Sequence, residues 1–210
     1  SSDLDQEIIA AQRKQEYEAH QDIFAGEVWI GAEKYVFSPR EFFDGRLSVW
    51  IPESFKFLPK ELAKLKYPME QRPPVILTNE DTTVNIARSL FDAPFSAEMV
   101  EQATNTYKAM MHQMNPSYAF IDTKFLPMEK NRLGYYDFLS RGFDASLYQL
   151  FAFTCIDKKM LHFIFNAPAK VMNDWKGLAL QILQSIRDIR GTQTSHGRQN
   201  PGPAPEPAGQ

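Results

Sequence analysis

Cys155 and His162 are the first residues whose types could do chemistry, because a thiol beside an imidazole can act as a nucleophile. They fall on either side of a predicted turn at 157–159, in two strands that would pair. The alternation of side chains does not place the two directly opposite each other, and no motif supplies a group to orient the imidazole. We therefore predict that Cys155 is a buried structural thiol, and a single cysteine excludes an intrachain disulfide.

Metal-binding spacing is absent from the sequence. The four histidines, His20, His112, His162 and His196, are scattered, and no pair has the spacing that would put two ligands on one helical face. The acidic stretch at 79–81 lacks the alternating oxygen ligands and central glycine of an EF-hand. The sequence predicts no metal site and no cofactor.

Carboxylate pairs for glycoside chemistry could be drawn from Asp122, Asp137 and Asp144, but any sheet with polar outer positions offers such a choice. The sequence contains no phosphate-binding glycine loop of the GxxxxGK[ST] or GxGxxG type, and no GxSxG nucleophile elbow. We predict that the protein is not an enzyme. An enzyme with an unrecognised site stays an alternative.

Aromatic residues are abundant, with 16 Phe, 8 Tyr and 3 Trp. One cluster lies near proline-rich connections, where rings are harder to bury: Phe42, Phe43, Trp50, Phe55, Phe57 and Tyr67. Positive charge accompanies it at Lys56, Lys66 and Arg72. Aromatic and arginine side chains often anchor interfaces, so we predict a partner-binding surface formed by Trp50, Phe55, Tyr67 and Arg72, which would suit an acidic partner. The alternative is that these rings cap the sheet edge and the charges are solvated.

Composition limits the partner class. The chain has 210 residues and a formal net charge of −3, which disfavours nucleic acid. No apolar run approaches the ~20 residues that span a bilayer. A cytoplasmic location is favoured for the chain as given, with an exported or membrane-tethered form left open, and the oligomeric state is undetermined.

The elements begin with an amphipathic helix, predicted within 1–22, whose narrow apolar stripe includes Leu4 and Ile8. A hairpin about Gly31, a strand at 47–51, a proline-rich connection with one helical turn at 60–65 and a second hairpin at 75–90 follow. These short connections favour antiparallel pairing over a βαβ arrangement.

A helix from Ser96 to Met114 precedes four more strands, at 118–126, 132–140, 147–156 and 160–166. Their short links require an antiparallel meander. A closing amphipathic helix is predicted to run from Trp175 to Ile189. The predicted fold class is α+β, an antiparallel sheet flanked by helices, with one domain at 23–190 and a disordered Gly/Pro-rich tail at 191–210.

The sequence resembles the PsbP/DcrB-like superfamily, in particular its bacterial-type members, over roughly Phe37 to Ile189. The resemblance rests on element order and on four segments: Leu47-Ser-Val-Trp-Ile-Pro, Lys66-Tyr-Pro, the stretch from Arg72 to Ile86, and Phe165-Asn-Ala-Pro before the last helix. It implies a small α/β/α sandwich and a non-catalytic protein-binding or accessory role. A carrier of small ligands, lipids or hydrophobic peptides is the alternative, because one fold serves many functions.

Overall fold

The computed structural model describes residues 3–19, 21–67, 75–141 and 145–189. The predicted tail at 191–210 lies outside these residues, and the proposed domain boundaries remain predictions. The described helices are α1 (Asp3–Ala19), α2 (Lys60–Lys66), α3 (Val100–Met114) and α4 (Met172–Gln184). The described strands are β1 (Glu27–Ile30), β2 (Glu33–Phe42), β3 (Leu47–Pro52), β4 (Lys56–Phe57), β5 (Val75–Thr78), β6 (Asn85–Pro94), β7 (Ala119–Met128), β8 (Asn131–Arg141), β9 (Ser146–Ile156), β10 (Lys159–Pro168) and β11 (Arg187–Asp188).

Seven strands form an antiparallel sheet in the order β4-β5-β6-β10-β9-β8-β7. The four strands β7 to β10 are consecutive neighbours, so the predicted meander is confirmed. The β9–β10 turn places both Asp157 and Lys158 at positive φ, 49° and 59°. Two such residues make a type I′ turn, whose twist matches that of paired antiparallel strands.

The smaller sheet has the order β1-β2-β3-β11. The last strand corrects the predicted extent of the closing helix, which ends at Gln184 and does not continue to Ile189. Arg187 pairs with Ser48 of β3, and the Ile189 N–H donates to the carbonyl of Arg46 at 2.9 Å. The helical spacing continues past Gln184, but these backbone bonds to β3 replace the next helical turn.

The core consists of layers on the two faces of the seven-stranded sheet. One face packs against α4 and the smaller sheet, with Phe163 and Phe165 of β10 pointing into that cluster. Ile164, between them, points to the opposite face, which α2 covers, and Met160 packs there in the cluster beneath α3. The helices therefore sandwich the sheet as predicted, although the second, smaller sheet shares one layer with α4.

Helix α1 precedes the body of the protein. The side chains of Leu4 and Ile8 are exposed, so the narrow apolar stripe predicted from the sequence is not buried against the described body. No helix in the described parts of the chain is both long and apolar enough to cross a bilayer.

Candidate functional site

An open cleft of about 500 Å³ lies where β2 and β3 of the smaller sheet approach the edge strand β4. Strand β2 contributes Ser38 and Arg40, and the segment from Glu53 to Phe57 forms the other side. The ring of Phe57 is 58% exposed. The cleft thus combines the exposed ring of Phe57 with the charged groups of Arg40, Lys56 and Glu53.

The register of β2 turns Arg40 inward. Arg40 lies opposite Val49 of β3, and Phe42 lies opposite Leu47. Because Val49 and Leu47 are core residues, Arg40 and Phe42 lie on the inner face of the smaller sheet. Arg40 Nη1 donates a hydrogen bond to the carbonyl oxygen of Phe55 at 3.1 Å, and its Cζ lies 5.3 Å from the Phe57 ring centroid.

A second arginine, Arg88 of β6, lies against the same Phe42 ring as Arg40. It occupies the same inner row as Ile86 and Leu90, and its side chain is 0% exposed. Its Cζ lies 3.0 Å from the centroid of the Phe42 ring, and that of Arg40 lies 5.9 Å from the same centroid. None of the three side-chain nitrogens of Arg88 has a hydrogen-bond partner among the described residues.

The electrostatic state of Arg88 follows from this environment. Burial, together with the neighbouring charge of Arg40, lowers the pKa of Arg88 to about 9. Sequence reasoning did not single out Arg88. The available signal was an arginine at a position of the predicted 83–90 strand where alternation calls for an apolar residue.

The structure places the four predicted partner-binding residues in different environments. Trp50 lies on the outer side of β3, where its ring contacts Phe24 edge-on at 5.2 Å. Phe55 is 1% exposed and packs near Tyr35 and Trp175, so its ring belongs to the core.

Tyr67 packs in the cluster beneath α2, on the face of the seven-stranded sheet that lies away from the smaller sheet. Its hydroxyl accepts a hydrogen bond from Asn166 Nδ2 at 2.8 Å. Burial raises the pKa of Tyr67. Arg72 lies outside the described residues. The described members therefore do not meet on one surface, and a partner-binding role for Trp50, Phe55, Tyr67 and Arg72 stays a prediction.

Cys155 and His162 do not form an activated pair. Cys155 lies opposite Met160, whereas His162 lies opposite Phe153 and stacks on its ring at 4.7 Å. The Cys155 thiol donates to the carbonyl of Phe95 at 3.3 Å, and burial raises its pKa. Burial lowers the pKa of His162 to about 4. Both groups are therefore held in the uncharged form, whereas a nucleophilic pair needs a thiolate.

Asp122 and Asp137 take part in an ion-pair network with a lysine. Lys176 Nζ of α4 lies 2.8 Å from Asp122 Oδ2 and 3.0 Å from Asp137 Oδ2. Asp137 is 0% exposed and also accepts from the Tyr148 hydroxyl at 2.7 Å and from the Asp122 N–H at 2.8 Å. The network ties β7 and β8 to α4, and its lysine occupies the space between the carboxylates. Asp144 lies outside the described residues.

Metal ligands do not cluster in the described ranges. No three His, Cys, Asp or Glu side chains among those residues are arranged to hold an ion. The cleft beside β4 combines the exposed ring of Phe57 with charged groups.

Of three comparisons with known proteins, the search of solved structures finds similar folds. Neither a scan of protein-family profiles nor a search of curated proteins finds a match. Among solved structures, cyanobacterial PsbP (CyanoP) from Synechocystis sp. PCC 6803 aligns with a TM-score of 0.54 at 10% identity, over 76% of this chain and 96% of that one. The Ran-binding protein Mog1p of Saccharomyces cerevisiae aligns with a TM-score of 0.47 at 10% identity, over 74% of this chain and 96% of that one. The chain has a PsbP-like fold, which confirms the predicted resemblance for the fold.

Proposed function

We propose that the protein is a non-catalytic binding module that captures an acidic segment of a partner polypeptide in the cleft beside β4. The observation that carries this proposal is the joint presence of an exposed ring, Phe57, and two cations, Arg40 and Lys56, around one open cleft. Aromatic and arginine side chains are the residue types that most often anchor protein interfaces. One carboxylate, Glu53, also lines the cleft, so the lining retains a net positive charge.

The position of β4 supports a polypeptide as the occupant. This two-residue strand is the edge of the seven-stranded sheet, and β5 is its only neighbour in the described sheet. An edge strand offers backbone groups to an incoming extended segment, while neighbouring pockets select its side chains. The cleft is open and carries charges along its lining, which suits a peptide better than an apolar lipid.

The test is the affinity of the full chain for a fluorescein-labelled Glu-Glu-Phe-Glu-Glu peptide, measured by fluorescence anisotropy with Gln-Gln-Phe-Gln-Gln as the uncharged comparison. We expect the acidic peptide to bind more tightly. Lys56→Glu should weaken its binding by about tenfold, because reversing one charge near a carboxylate is worth about 1 to 2 kcal/mol at a protein surface.

Lys124→Glu is the matched control, since Lys124 is exposed on β7, at the opposite edge of the same sheet. It changes the net charge identically and should leave the affinity unaltered. Equal binding of the acidic and amide peptides, or equal losses in Lys56→Glu and Lys124→Glu, would refute the proposal.

A further inference from the structure

Arg88 is a buried arginine whose side-chain N–H groups have no hydrogen-bond acceptor among the described residues. A buried guanidinium carries a charge and five N–H donors, and burying such a group is unfavourable unless acceptors pair with it. Arg88 is fully buried, yet all three of its side-chain nitrogens lack an acceptor among the described residues. The Phe42 ring offers a cation–π contact, which compensates part of the charge and none of the N–H groups.

A second cation, Arg40, lies near Arg88 and adds to the need for a negatively charged partner. The guanidinium groups of Arg88 and Arg40 lie against the same Phe42 ring, so their separation cannot exceed the sum of their two distances to it. Like charges repel at such separations, and the pKa of Arg88 is lowered by burial and further by this repulsion. Among the described residues Arg40 donates one hydrogen bond, to the Phe55 carbonyl, and it lines the cleft directly.

We propose that Arg88 and Arg40 together form an oxyanion site that takes a carboxylate group, with Phe42 as the side chain that separates Arg88 from the cleft. A guanidinium fork matches a carboxylate with two parallel hydrogen bonds. The carboxylate enters from the side of Arg40, and the Phe42 ring turns aside to expose Arg88. Glu53 in the lining disfavours a doubly charged phosphate relative to a singly charged carboxylate.

The chemical identity of the carboxylate donor rests on the proposed function, in which an acidic polypeptide segment occupies the cleft. The same group chemistry is available from a free small carboxylate. The two sources are separated by using acetate and the Glu-Glu-Phe-Glu-Glu peptide as independent probes, with chloride and inorganic phosphate at matched ionic strength as comparisons.

The first measurement is the thermal midpoint of the full chain in each salt. Acetate should raise the midpoint more than chloride or phosphate, because the bound anion stabilises the folded state alone. Arg88→Met should abolish this difference. Arg132→Met is the matched control: Arg132 also stacks over a phenylalanine ring, Phe125 at 5.2 Å, but lies on β8 and is partly exposed. It should keep the full response to acetate.

The second measurement uses the wild type, so it does not depend on whether Arg88→Met folds. In the nitrogen–proton spectrum of the wild type, the Nε–H signal of Arg88, assigned by its loss in Arg88→Lys, should shift as acetate is added. An unchanged signal at saturating acetate, or an acetate response that survives in Arg88→Met, would overturn the site.

The peptide measurements separate this inference from the proposed function. Arg88→Met should lower the affinity for the acidic peptide by about tenfold or more, because the variant loses a charge-assisted bidentate contact. Peptide binding that is lost in Lys56→Glu and intact in Arg88→Met would overturn the oxyanion site and leave the proposed function standing. An acetate response through Arg88 with no peptide binding would support the site, assign it to free carboxylates and refute the proposed function.

Discussion

Removing the buried carboxylate of Asp137 should destabilise the fold far more than removing that of its partly exposed neighbour Asp122. Three donors point at Asp137, from Tyr148, Lys176 and the backbone of Asp122, at 2.7, 3.0 and 2.8 Å. In Asp137→Ala the buried Tyr148 hydroxyl loses its acceptor, while Lys176 is partly exposed and can turn to water. Breaking a buried ion pair costs about 3 to 5 kcal/mol, and the partial exposure of Lys176 places the expected cost near the lower value.

The assay is urea unfolding together with the thermal midpoint. A loss of about 3 kcal/mol corresponds to a fall of about 6 to 12 °C for a chain of this size. Asp122→Ala is the matched comparison, because it removes a carboxylate from the same lysine at a partly exposed position. It should cost about 1 kcal/mol or less. Similar losses in the two variants, or a loss below about 1 kcal/mol in Asp137→Ala, would show that the buried network does not stabilise the fold.

Two further predictions concern ring side chains: the imidazole of His162, whose Nε2 is buried, and the buried ring of Phe55. Because burial lowers the pKa of His162 to about 4 from its usual 6.5, the unfolded chain takes up a proton first as the pH falls. The contribution of neutral His162 to the free energy of unfolding should be fully present above pH 6.5 and should decline by about 3 kcal/mol towards pH 4. In urea unfolding, His162→Leu should flatten this dependence of stability on pH. His112→Leu, at an exposed position on α3, should not flatten it. Phe55→Ala should cost about 3 to 5 kcal/mol, since the ring is buried against Tyr35 and Trp175; Phe57→Ala, which removes an exposed ring, should cost less than about 1 kcal/mol, and equal thermal midpoints would show that Phe55 is not a core residue.

Local patterns along the chain determined most of the elements. The type I′ turn at Asp157 and the other short links required the antiparallel meander, because a parallel crossover needs about a dozen residues. The alternation of β3 predicted its inward residues, and the helical spacing of α4 predicted its buried face. These features depend on neighbours within a few positions, which a single sequence displays directly.

The end of α4 shows where local patterns are insufficient. Apolar spacing continues to Ile189, yet the chain leaves the helix and pairs Arg187 and Asp188 with β3. Ser185 joins the two elements, since its hydroxyl accepts from the Trp50 N–H at 2.9 Å and donates to the Ile182 carbonyl. The partner strand lies more than a hundred residues away in sequence, so tertiary pairing decided the boundary.

Some residues of the candidate site could be predicted from the sequence, and others only from the tertiary structure. The sequence indicated aromatic and basic residues near the proline-rich connection, including Lys56 and Phe57, because composition alone reveals such clustering. Only the tertiary structure buried Phe55, set Tyr67 on the other face of the sheet and brought Arg40 and Arg88 to one ring. Arg40 and Arg88 belong to different sheets, and the packing of those sheets depends on contacts between distant segments that no local pattern encodes.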